Sequence, residues 1–112
     1  MKERVLQALL IAGEEMRDEV RSGMKNISIR TGHRDYIKGR ILIGCHLLDW
    51  AVMGQITQVR HTSLSNVTLD ELRADGFDSH EQAIFVLSQW YPDIHMGSDV
   101  TIIRWKLEKE VK

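Results

Sequence analysis

Between Glu3 and Arg21 the apolar residues Leu6, Leu9, Leu10, Gly13, Met16 and Val20 recur at helical spacing, with Glu14, Glu15, Arg17, Asp18 and Arg21 mostly opposite. A period near 3.6 predicts an amphipathic first helix over Glu3 to Arg21. It stops near Ser22-Gly23, where glycine can take the left-handed conformation that ends helices. The period then changes to two. Ile27 and Ile29 alternate with Asn26, Ser28 and Arg30, which predicts a short strand with the isoleucines toward the core and the polar residues on the other face. Thr31 to Lys38 is polar and reads as a loop. Arg40 to Leu47 and Ala51 to Leu64 are rich in β-branched residues and read as strands, with Gly44 and Gly54 as bulge or bend points.

The second half is helical before it returns to strand. Thr68 and Glu71 have the spacing of a capping box, and Val67 with Leu72 that of a hydrophobic staple, so a short helix starts at Thr68. Gly76 stops it. A third helix starts near Asp78-Ser79, with Ala83, Leu87 and Trp90 as its buried stripe, and Tyr91-Pro92 ends it. From Asp99 to about Glu108, Thr101, Ile103, Trp105 and Leu107 alternate with Ile102, Arg104, Lys106 and Glu108 as a last strand. The pattern is that of one α+β domain over residues 1–112, without repeats or linkers.

Composition narrows the function classes. Fifteen basic residues against sixteen acidic ones leave a net charge of −1, which argues against coating nucleic acid nonspecifically, since that requires neutralising many phosphates. A local pocket for nucleic acid stays open. The one cysteine, Cys45, gives no sign of an oxidising compartment and is expected as a small core hydrophobe. No stretch approaches the roughly 18 apolar residues of a membrane span, and the cytoplasm is the expected location. His33, His46, His61, His80 and His95 show no ligand-pair spacing, so no metal site is expected; no cofactor is expected either.

Candidate chemistry concentrates in Ser22-Gly23-Met24-Lys25-Asn26-Ile27-Ser28-Ile29-Arg30. A helix breaks at glycine, a lysine sits in the turn, and a strand projects a hydroxyl and a guanidinium from one face. Lys25 is a point charge whose proton affinity shifts readily on desolvation. Arg30 is a planar fork suited to phosphate or a base edge. Ser28 can donate, accept, or act as a nucleophile beside a lysine. The plain alternative is a set of solvated surface charges. Asp75 stands out separately, because a carboxylate in the last turn of a helix opposes the helix dipole.

Taken in order, these motifs resemble the ASCH family, which has a PUA-like fold. The residues carrying the resemblance are Gly23, Lys25, Ser28 and Arg30, then Val67-Thr68-Leu69, Asp75-Gly76-Phe77, Tyr91-Pro92, and Val100-Thr101-Ile102-Ile103. The resemblance implies a small β-barrel of about five strands, with an N-terminal helix and two helices before the last strand. It also implies binding of RNA or a modified nucleoside, with no membrane and no DNA partner predicted. Within the family, the small bacterial N4-acetylcytidine amidohydrolases use a lysine, a threonine and a glutamate. Lys25 matches the lysine, Ser28 keeps the hydroxyl, and Asp75 stands in for the glutamate after a one-residue shift.

On that resemblance the catalytic set is Lys25, Ser28 and Asp75, with Arg30, Gly23, Tyr36 and Trp50 around the substrate. Lys25 serves as base and then stabiliser, Ser28 as nucleophile or water-positioner, and Asp75 as the proton-handling carboxylate or an orienter of Lys25. Asp78 and Glu81 are rival acids, although capping of the third helix explains both. Tyr36 and Trp50, in predicted loops, are the candidates for stacking on a base. Trp90 and Trp105 are expected in the core. Two other functions fit the same corner: a noncatalytic regulator that binds RNA or protein, and a ribonuclease.

Overall fold

The computed structural model describes residues 7–10, 14–45 and 50–108, with the side chains of 14–17, 45 and 50 outside that description. Its strands are β1 (Gln7–Leu10), β2 (Ile27–Thr31), β3 (Gly39–Cys45), β4 (Trp50–Ser63) and β5 (Asp99–Leu107). The helices are α1 (Glu14–Ser22), α2 (Leu69–Ala74) and α3 (His80–Leu87). The strands form one curled half-barrel in the order β1-β3-β4-β5-β2. All pairings are antiparallel except β1 with β3. The α+β barrel expected from the sequence is present.

The N-terminal segment departs from the expected continuous helix. The helical spacing through Leu9 and Leu10 gives way to a four-residue strand, in which Leu9 is fully buried and Leu10 faces outward. The Gln7 side chain fixes the segment, donating to the Ile37 carbonyl at 2.9 Å and accepting from its N–H at 2.8 Å. Tertiary pairing therefore overrides a short local period, and the described helix runs over Glu14–Ser22. Residues 3–6 and 11–13 of the predicted helix, and 46–47 of the predicted strand, lie outside the described residues.

Two cores lie on opposite faces of the sheet. Leu9, Val20, Ile41, Ile43, Ile56, Ile103 and Trp105 fill the concave side, where Val20 brings α1 against the barrel. Ile27, Ile29, Val100 and Ile102 meet Leu64, Val67, Leu72 and Ala83 on the other, under α2 and α3. Ile27 and Ile29 thus face a core as predicted, and Ser28 and Arg30 project to the opposite face. Gly44 and Gly54 are not bulges, since the β3–β4 register runs unbroken through both. The irregularity falls between Ile56 and Gln58. Gly54 instead admits close packing: a Cβ there would meet the Lys106 carbonyl at 3.1 Å and Ile43 at 3.2 Å.

The start of α2 follows its sequence signature. Thr68 Oγ1 accepts from Glu71 N at 3.1 Å, and Glu71 returns the bond to Thr68 N at 2.9 Å. Arg60 donates to the same carboxylate, and these bonds hold Glu71 below the ordinary carboxylate range against the upward push of its own burial. The end of α2 is a Schellman motif. Phe77 N bonds the Leu72 carbonyl at 2.8 Å and Gly76 N the Arg73 carbonyl at 3.0 Å. Gly76 has φ +98°, a conformation that side chains resist, and Asp75 is thereby fixed as the helix cap.

Candidate functional site

Edge position explains why a lysine and an aspartate are buried together. Strand β2 lies at one end of the sheet, bonded among the described strands to β5 alone. Trp105 N donates to the Asn26 carbonyl, so by antiparallel alternation Asn26, Ser28 and Arg30 turn their backbone groups to β5. The backbone groups of Ile27 and Ile29 then point to the open edge. Lys25 and Asp75 close it: Lys25 Nζ donates to the Ile27 carbonyl at 2.9 Å, and Ile29 N donates to Asp75 Oδ2 at 3.1 Å. Lys25 Nζ also bonds Asp75 Oδ1 directly.

Each partner is placed by a helix end. Gly23, at φ +88°, terminates α1, and Lys25 N then bonds the Glu19 carbonyl at 2.9 Å, which turns the lysine toward the edge. Asp75 comes from the cap of α2. Lys25 is only 6% exposed and the Asp75 side chain 10%. A lysine ammonium has three donors. Two are engaged by Asp75 and Ile27, and among the described residues the third finds no partner. It borders a cavity of about 320 Å³ lined by Glu19, Met24, Lys25, Arg73, Ala74, Asp75 and Gly76.

Burial pushes the Asp75 carboxyl above its ordinary range, against the opposing pull of Lys25, the Ile29 N–H and Arg30. A raised value favours the protonated form in the folded chain. The corresponding stability is present below the unfolded value near 4 and is lost as pH climbs through the raised one. Asp75→Asn is therefore expected to flatten the fall in stability between wild type at acid pH and at neutral pH, read from urea midpoints across that interval.

Ser28 and Arg30 form a second group on the concave face. Ser28, 5% exposed, accepts from Arg30 Nε at 3.0 Å. Arg30 Nη2 reaches across to the Leu10 carbonyl at 2.7 Å, and burial lowers its proton affinity. Tyr36 packs on the barrel core and donates to the Ala8 carbonyl at 3.1 Å. Neither Ser28 nor Arg30 lines the Lys25 cavity, and no hydrogen bond joins Lys25 to Ser28 among the described residues. Gly23 shapes the turn and lines no cavity described here. Trp50 opens β4 opposite Cys45, and its side chain, like that of Cys45, lies outside the described residues. Of the three candidate acids, Asp75 alone meets Lys25; Asp78 and Glu81 are exposed at the start of α3.

The structure also corrects the expectation for the tryptophans. Trp105 is buried as expected, at 3% exposure, but Trp90 is 68% exposed. Helix α3 ends at Leu87, so the spacing that would carry Trp90 into the core is broken before it arrives. Trp90 and Tyr91 instead wall a cavity of about 570 Å³ with Thr31, Gly32, Arg34, Pro92, Asp93, Ile94, Ser98 and Asp99. Bonding to Thr31, with Arg34 alongside, holds the Tyr91 hydroxyl below its usual range. Arg34 is anchored by Nε on the Thr31 carbonyl at 2.7 Å, and its N–H by Thr101 Oγ1 at 2.8 Å. His33 stacks on His61 at 3.8 Å, which pins the same loop to β4. Adjacent aromatics directly after a helix, next to proline, were the sequence signal for this wall.

No family model and no curated relative matches the chain by sequence. Solved structures do match by fold. An ASCH domain from Lactobacillus crispatus JV V101 superposes with a TM-score of 0.62 at 10% identity, over 91% of this chain and 79% of that one. A DUF984 protein from Enterococcus faecalis V583 superposes with a TM-score of 0.66 at 10% identity, over 96% and 78%. The fold is ASCH-like. On this ASCH-like barrel the Lys25–Asp75 pair sits at the β2 edge and the aromatic cavity at the neighbouring rim, where Thr31 continues β2. Among the described residues no helix is long and apolar enough to cross a membrane, and no cluster of three or more His, Cys, Asp or Glu could hold a metal ion.

Proposed function

We propose that this ASCH-fold domain binds RNA or a modified nucleoside at the Lys25 corner and hydrolyses the N4-acyl amide of acetylated cytidine there. The supporting observation is the buried Lys25–Asp75 pair on a cavity wall, with one ammonium hydrogen left for a ligand. A desolvated carboxyl of raised proton affinity beside a lysine is a combination suited to acid–base work.

In the proposed reaction Asp75, as carboxylate, takes a proton from water while the water oxygen bonds to the acyl carbon. Lys25 stabilises the developing oxyanion through its third hydrogen. The C–N bond then breaks, Asp75 returns the proton to the leaving nitrogen, and cytidine and a carboxylic acid depart, the acid losing its proton to solvent. Ser28 already accepts from Arg30 and lines no part of the Lys25 cavity, so water rather than the Ser28 hydroxyl is the attacking group.

Incubation of the protein with N4-acetylcytidine, followed by the ultraviolet change to cytidine, tests the reading beside a labelled-RNA cleavage assay. Release of cytidine is the expected result. Cleavage of RNA without it would favour a ribonuclease, and inactivity in both would favour a noncatalytic RNA- or protein-binding regulator.

A further inference from the structure

We propose that the cavity between Gly32 and Trp90 is a slot for one unpaired nucleobase bearing an exocyclic amino group, separate from the Lys25 corner. The inference rests on the reading that the ligand carries a nucleobase, and adds a second base contact, so that a single strand can engage both places while a nucleoside fills one. Three observations carry it. Trp90 and Tyr91 present exposed ring surface to the cavity, and a base gains most by covering such a surface, since every base has a stackable face. Arg34 lines the same cavity with its guanidinium already fixed on Thr31, so packing a base against it requires little further ordering. The volume, about 570 Å³, lies in the range of small-ligand sites.

Charge selects what enters. Asp93 and Asp99 share the wall with Arg34, its one cation among the described residues, so the slot repels phosphate and leaves the sugar–phosphate chain outside. Carboxylates accept hydrogen bonds from base amino groups. A ring without an amino donor leaves them unmatched.

Tryptophan emission of the full chain titrated with guanosine and with inosine tests the slot, because inosine lacks only the exocyclic amino group. Guanosine should quench and saturate, with inosine weaker by about tenfold, as expected for one hydrogen bond to a charged group. Trp90→Ala should weaken guanosine by about tenfold, the loss typical of a stacking partner, while leaving N4-acetylcytidine turnover at the wild-type rate. Trp90 is exposed, so the variant should keep the wild-type circular dichroism. The paired variant Asp93→Asn/Asp99→Asn should erase the preference for guanosine over inosine. Wild-type guanosine affinity in Trp90→Ala, equal binding of inosine, or no binding at all would overturn the slot. Saturable guanosine binding without N4-acetylcytidine turnover would remove the Lys25 reading and leave the slot standing; turnover without guanosine binding would do the reverse.

Discussion

Lys25→Ala is expected to unfold roughly 10–30 °C below wild type and to lose nucleoside binding and turnover together. Removing one member of a buried ion pair typically costs about 3–5 kcal/mol, because the other charge stays buried without a partner. In a domain of this size that corresponds to the stated fall in melting temperature. Two groups are orphaned at once: the Asp75 carboxyl loses its charged donor, and the Ile27 carbonyl at the open edge of β2 loses its hydrogen bond. From the sequence alone, a lysine after a helix-ending glycine would be a solvated charge whose loss costs little. Burial at 6% exposure reverses that expectation. Thermal melts followed by circular dichroism decide it, and a shift below about 3 °C, within the range of a surface substitution, would show that the pair does not seal the edge.

The second large effect is kinetic. Asp75→Asn is expected to lower turnover of N4-acetylcytidine by about 10²–10⁴-fold, the contribution of a positioned proton-transfer group, with a much smaller change in substrate affinity. The amide keeps an acceptor for Ile29 N or Lys25 but cannot take a proton from water. Steady-state rates at saturating substrate separate the two quantities. An unchanged turnover number would transfer the acid role to Asp78 or Glu81, or remove it from the mechanism.

Much of this architecture is legible in the chain because local chemistry and tertiary structure agree. The capping box at Thr68 and Glu71, the stop at Gly76, the Ser79 cap of α3 and the alternation of β2 and β5 are all written in short-range patterns. The meeting of Lys25 with Asp75, fifty positions apart, followed from the family resemblance together with an acid placed against its helix dipole. Three features were not legible. Strand β1 is defined by pairing with β3 and by Gln7 gripping Ile37, and its leucines fit a helix equally well. Trp90 fits the α3 stripe, but the helix ends three residues before it, so its exposure depends on where the chain turns. The lack of a Lys25–Ser28 hydrogen bond could not be read from spacing either. Lys25 precedes the strand and wraps its edge, while Ser28 stands on the concave face with Arg30.

The proposed function depends on a ligand touching the Lys25 ammonium at the one hydrogen that finds no partner among the described residues. The most direct measurement is the proton–nitrogen NMR signal of the Lys25 side chain, recorded while cytidine is added and its binding is followed in parallel by calorimetry. The signal should move in step with saturation. A Lys25 resonance that stays in place while cytidine saturates the protein, or cytidine that does not bind, would contradict the account.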